Sequence, residues 1–113
     1  MYIAIVGSRS FSNYSLMKDE CSFISKEDTI VSGGAKGADS LAKLLSEDIG
    51  CKYIEYPAQW DKYGKSAGYR RNVDIIQRAD VVMAFWDGES KGTKHSIELA
   101  EKHNRLLKII NYD

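Results

Sequence analysis

Cysteine, histidine and proline are nearly missing from this chain, with two, two and one among 113 residues. Two cysteines, Cys21 and Cys51, are too few for a disulfide framework, and two histidines allow no zinc-ligand spacing, so no metal site is expected. A reducing, cytoplasmic setting fits such a sequence. An excess of one charge is also absent, because sixteen basic residues balance sixteen acidic ones. A neutral chain exerts no long-range pull on nucleic acid or an anionic membrane, so nucleic-acid binding is not expected unless a local patch supplies it. Long apolar runs are lacking too. The opening "MYIAIVGSRS" has neither the basic n-region nor the extended apolar region of a signal peptide, and nothing reaches the roughly 20 residues of a membrane span, so no membrane partner is expected.

What is present is a regular alternation. The runs "YIAIV" (2–6), "TIVS" (29–32), "CKYIEY" (51–56), "DVVMAFW" (80–86) and "LLKII" (106–110) read as strands, rich in Val, Ile and aromatics. Four amphipathic segments lie between them. In the second, Ala38, Leu41, Ala42, Leu45 and Ile49 form one apolar stripe at helical spacing. Around 14–25 the stripe is Met17, Cys21 and Ile24, and around 67–79 it is Tyr69, Val73 and Ile76. In the fourth, 93–104, it is Ile97 and Ala100, with Thr93 as the expected N-cap. With no repeats or linkers, residues 1–113 read as one domain.

Strict β-α alternation predicts an α/β, Rossmann-like, three-layer fold: a five-stranded parallel sheet with helices on both faces. Strands 1, 4 and 5 are unbroken apolar runs and are expected to be buried, while strand 3, with Lys52 and Glu55, reads as an edge. The expected order is 3-2-1-4-5. In such sheets ligands bind at the carboxyl ends of the strands, where the winding reverses. The unusual residues gather in the connections that leave those ends.

After strand 1 comes Gly7, Ser8 and Arg9. After strand 2 comes "SGGAKGAD", residues 32–39, with three of the nine glycines. That stretch reads either as a tight strand-to-helix turn or as a cradle of backbone N–H groups for an anion. It is not a Walker A loop, and against G-x-G-x-x-G it offers Ser32, Gly34 and Gly37, with serine for the first glycine. After strand 3, a connection of about ten residues is longer than usual and carries Trp60, a candidate for stacking on a base. It leads into "AGYRRN", whose basic residues oppose the dipole at a helix start; Arg71 is therefore expected to await an anion. After strand 4 come Asp87, Gly88 and Gly92. His95 and His103 read as solvated or capping residues, and Trp86 as packing.

The stretches "IAIVGSRSF", "IVSGGAKGADSLA", "PAQW", "AGYRRN" and "AFWDGESKGT", in this order and spacing, resemble the SLOG superfamily, and especially its YspA-type branch, over nearly the whole chain. The first two are also similar to the DNA-processing protein A family, and the glycine-threonine pair to the cytokinin-activating LOG enzymes. The resemblance implies a Rossmann-like fold and, in many branches, binding of nucleotides or NAD-derived ligands such as ADP-ribose. Gly7, Ser8 and Arg9 match its first motif. Gly33, Gly34, Gly37 and Asp39 match the second, Arg71 and Asn72 the arginine-asparagine pair, and Gly92 and Thr93 the last. Tyr69 stands where the branch has proline, and Ser96 where the LOG pattern has its catalytic glutamate.

Glycoside cleavage needs a placed carboxylate. Glu98 is five positions beyond Thr93, about 500° round a helix in place of 300°, so it points elsewhere. Asp87 and Glu89 are the remaining candidates. The reading reached from sequence is binding without turnover: a nucleotide or NAD-derived ligand held by a sensor, carrier or sequestering protein, with no cofactor required and with homo-oligomers allowed. The alternatives are a nucleotide-processing enzyme and a single-stranded DNA binder like the DNA-processing family.

Overall fold

The computed structural model describes residues 1–112. Five strands, β1 (Tyr2–Gly7), β2 (Thr29–Ser32), β3 (Lys52–Glu55), β4 (Val81–Trp86) and β5 (Leu106–Asn111), alternate with helices α1 (Tyr14–Glu20), α2 (Ala38–Ile49), α3 (Trp60–Tyr63), α4 (Ala67–Arg78) and α5 (Lys91–Lys102). The sheet is parallel throughout, in the order β3-β2-β1-β4-β5.

Side chains alternate across a strand, and here the alternation divides the core into two layers. Ile3 and Ile5 of β1, with Met83 and Phe85 of β4, face Met17 of α1 and Ala38, Ala42 and Leu45 of α2. Ala4, Val6, Val82 and Ala84 face the other way, against Ile75 and Ile76 of α4 and Ile97 and Ala100 of α5. The first two crossovers thus cover one face and the last two the opposite face, so the winding reverses between β1 and β4. Gly7 of β1 pairs with Phe85 of β4 at that point.

Several expectations need correcting. β5 is not buried: it is the second edge of the sheet, and Leu107 is 53% exposed. Its apolar run feeds both layers, Ile110 on one face and Leu106 and Ile109 on the other, while no strand pairs beyond it to cover its outer edge. In α4 the inward face is Asn72, Ile75 and Ile76, whereas Tyr69 is 47% exposed; counting Tyr69 as apolar core misses that its helix starts beside open solvent. α5 begins two residues early, with Ser90 as its N-cap in place of Thr93, and the Ser90 hydroxyl accepts from the Thr93 N–H at 3.3 Å. The long connection after β3 holds its own structure: α3 followed by a single 3₁₀ turn, Gly64–Ser66.

Candidate functional site

The site begins where β1 ends. The Ser8 N–H donates to the Phe85 carbonyl at 3.0 Å, and the Ser8 hydroxyl accepts from the Asp87 N–H at 3.2 Å, which ties the β1 and β4 loops together. The start of α2 presses into this junction. A Cβ on Gly7 would lie 2.5 Å from the Ala38 Cβ and from the Phe85 carbonyl oxygen, so only glycine admits the helix. Gly37, at φ 77°, turns the chain into α2 directly against the Ser8 and Arg9 carbonyls.

The stretch 32–39 is built differently from an open anion cradle. Asp39, 7% exposed, accepts from the Ala35 N–H at 3.2 Å, so the chain's own carboxylate occupies the loop. Burial pushes the Asp39 carboxyl up from its ordinary range, and the Ala35 N–H and the Arg71 charge oppose that rise. Arg71 has internal partners: its Nη1 donates to the Gly33 carbonyl at 2.9 Å, and its Nε donates to the Asn72 Oδ1 at 3.3 Å. Gly34, at φ 75°, sits beside the Glu55 carboxylate, whose Cδ would be 2.5 Å from an added Cβ. Ser32 is fully buried and donates to the Ile5 carbonyl at 2.8 Å.

A cavity of about 520 Å³ opens above the ends of β1 and β4. Of the residues singled out from sequence, Gly7, Arg9, Asp39, Trp60, Arg71, Asn72, Asp87, Gly92 and Thr93 line it. Ser8, Ser32, Gly33, Gly34, Gly37 and Gly88 do not. Sequence reasoning missed Ser10, Lys65, Tyr69 and Ser90, which also line the cavity. The helical spacing of Lys65 and Tyr69 about Gly68 was the signal available. Trp60 is 52% exposed, and its ring edge lies 3.5 Å from where a Gly68 Cβ would stand. Together Trp60 and Tyr69 present two aromatic surfaces to solvent beside the exposed cations Arg9 and Lys65. Among the described residues the ion pairs are Met1–Asp28 and Lys108–Glu20, so neither of these cations is held in a direct ion pair.

Asn72 and His95 set the relation of α4 to α5. The Asn72 Nδ2 donates to the Gly92 carbonyl at 3.2 Å and lies 3.3 Å from the His95 Nδ1, and the His95 ring stands edge-on to Tyr69 with centroids 4.6 Å apart. Burial holds the imidazole below its ordinary pKa. His95 is therefore a partly buried joint and not the solvated residue expected. Trp86 packs as expected and also donates from Nε1 to the Ser90 carbonyl at 3.0 Å.

Two carboxylates line the cavity. N–H groups of Ser90 and Glu89 hydrogen-bond Asp87 and hold it below the usual carboxylate range. Asp39 is held in the loop as described. The third candidate position is Ser96, 2% exposed in the cavity wall, where a hydroxyl replaces a carboxylate. Among the described residues no three of His, Cys, Asp and Glu gather as a metal site, and no helix is long and apolar enough to cross a membrane.

A model of the family described as DNA recombination-mediator protein A matches residues 1–59. The Gene 61 protein of Mycobacterium phage D29 is 35% identical over 89 residues, covering 74% of this chain and 70% of that protein. Among solved structures, DNA processing protein A from Helicobacter pylori, described for its single-stranded DNA binding mode, matches with a TM-score of 0.71 and 26% identity. All of this chain aligns there, spanning 66% of the longer one. These likenesses overturn the reading of a nucleotide or NAD-derived ligand held by a sensor or carrier, and with it the disfavouring of nucleic acid as a partner. The physical reason is that net charge is a sum over the whole surface, whereas binding depends on the charge of one edge.

Proposed function

This chain belongs to the DNA recombination-mediator protein A family, and from that premise we propose that it binds single-stranded DNA at the carboxyl edge of its sheet. By the motifs "AGYRRN" and "AFWDGESKGT" we propose a place near the YspA-type branch of the SLOG superfamily. We assign it to the cytoplasm, where DNA and the free thiols of Cys21 and Cys51 both belong.

The observation that carries the reading is the pairing of exposed aromatic faces with cations outside any ion pair around one cavity. Trp60 and Tyr69 offer stacking surfaces, and Arg9 and Lys65 lie beside them. Proteins that hold single strands combine these two elements, because every unpaired base has a π-face and every linkage a negative charge. A base pair already stacked in a duplex cannot reach either ring. The cavity has room for one nucleotide of the strand. Arg71 and Asn72 shape its wall, and Arg9 and Lys65 meet the backbone.

Tryptophan emission tests this. Binding of a twelve-nucleotide thymidine oligomer should quench Trp60, while the half-buried Trp86 remains as background. Trp60→Ala should lose the quenching and weaken binding by about 1–3 kcal/mol, the range for one stacked base. Unchanged affinity in a folded Trp60→Ala protein would contradict the proposal.

A further inference from the structure

We propose that the bound strand continues past Trp60 into a second subsite, a basic groove beside α3 and α4 that takes a neighbouring phosphodiester. The inference rests on the single-strand reading above. The groove encloses about 220 Å³, and Lys62, Tyr63, Arg70 and Asp74 line it. It shares Arg71 with the first cavity, so the two are adjoining walls of one surface.

Its charge arrangement is the reason for assigning it a ligand. The Lys62 Nζ lies 5.1 Å from the centroid of the Tyr63 ring, and the Arg70 guanidinium carbon lies 4.4 Å from the same centroid. One ring therefore gathers two cations. The Arg70 Nε donates to the Ser66 hydroxyl at 3.1 Å, which fixes the guanidinium while leaving its terminal nitrogens free for other acceptors. Asp74 is on the same wall, yet neither cation takes part in an ion pair among the described residues. Both cations line the one groove, and an anion bound there can accept a charge-assisted hydrogen bond from each.

The groove is less than half the volume of the first cavity and admits a phosphate. Trp60 lines the first cavity and Tyr63 the second, one turn apart on the same short helix. A strand whose base stacks on Trp60 thus brings its next linkage towards Lys62 and Arg70. A free anion would also fit the charges, and only the strand couples the groove to the cavity.

The test compares the wild-type protein with Lys62→Gln/Arg70→Gln, using a twelve-nucleotide thymidine oligomer and Trp60 emission. Both side chains are exposed, and Lys62→Gln alone serves as a second variant should the pair disturb folding by circular dichroism. Affinity should fall roughly tenfold, and the slope of log K against log salt should become shallower by about 0.7, the loss of one phosphate contact on a single strand. Quenching of Trp60 at saturation should stay as in the wild type, because the first cavity is intact. An affinity within about twofold of wild type, an unchanged slope, or lost quenching at saturation would overturn the second subsite. If the wild-type protein itself neither binds the oligomer nor is quenched, the single-strand reading falls and this subsite falls with it.

Discussion

Arg71 carries the most information of any single residue, because it joins the glycine stretch to α4. Its Nη1 spans to the Gly33 carbonyl, a residue thirty-eight positions away in sequence. Arg71→Ala leaves that carbonyl without its charged donor in a part-buried setting, and should cost about 1.5–3 kcal/mol of stability in urea unfolding. At a helix start without internal partners the same arginine would be neutral or slightly unfavourable until an anion arrived, so an unchanged unfolding midpoint would mean that its bond to Gly33 contributes no stability. The glycines divide in a similar way. Gly7 and Gly37 are legible as turn residues, since an apolar strand followed by glycine and a helical stripe signals close packing. That the Ala35 N–H is already taken by Asp39 is not legible, because spacing says nothing about which acceptor a loop folds over. Tyr69 was hidden by its own composition: an aromatic at helical spacing reads as core, and only the position of the helix start puts it in solvent.

At the scale of elements, the junction of α4 with α5 decides whether the cavity keeps its shape. Asn72 has only donors on its Nδ2, so the His95 Nδ1 facing it must accept and the ring must be neutral. Burial lowers the folded-state pKa of His95 below its unfolded value near 6.5. The unfolded chain then binds more protons in the interval between the two values, so stability is full above about pH 6.5 and declines as pH falls through that interval. Thermal unfolding between about pH 7.5 and 5.5 should show this decline, and His95→Gln should flatten it. A wild-type midpoint that stays level over the range would mean the imidazole is free to protonate where it stands. The strands, their order and the two-sided helix layers were readable from the apolar alternation. The edge position of β5 was already contained in the predicted order, and its apolar run concealed it, since an edge strand covered on both faces can carry as many aliphatic residues as a central one. α3 was not readable, because four residues, "WDKY", show no period.

For the whole molecule, the balance of sixteen against sixteen charges hides an uneven surface. Arg9 and Lys65 at the cavity, and Lys62 and Arg70 beside it, belong to no ion pair among the described residues. A sequence sum cannot register this, because pairing depends on which loops the sheet brings to one edge. Such an edge binds by releasing counterions, so its affinity should depend on salt even though the protein as a whole is neutral. The most direct test is a titration of the intact protein, over a series of salt concentrations, with a single strand and with the duplex of the same sequence. Exposed stacking surfaces beside unpaired cations predict binding of the single strand with a log–log salt slope of a few phosphate contacts, about −0.7 for each, and clearly weaker binding of the duplex. Equal affinity for strand and duplex, or no binding of the strand at low salt, would contradict the assignment of this edge to single-stranded DNA.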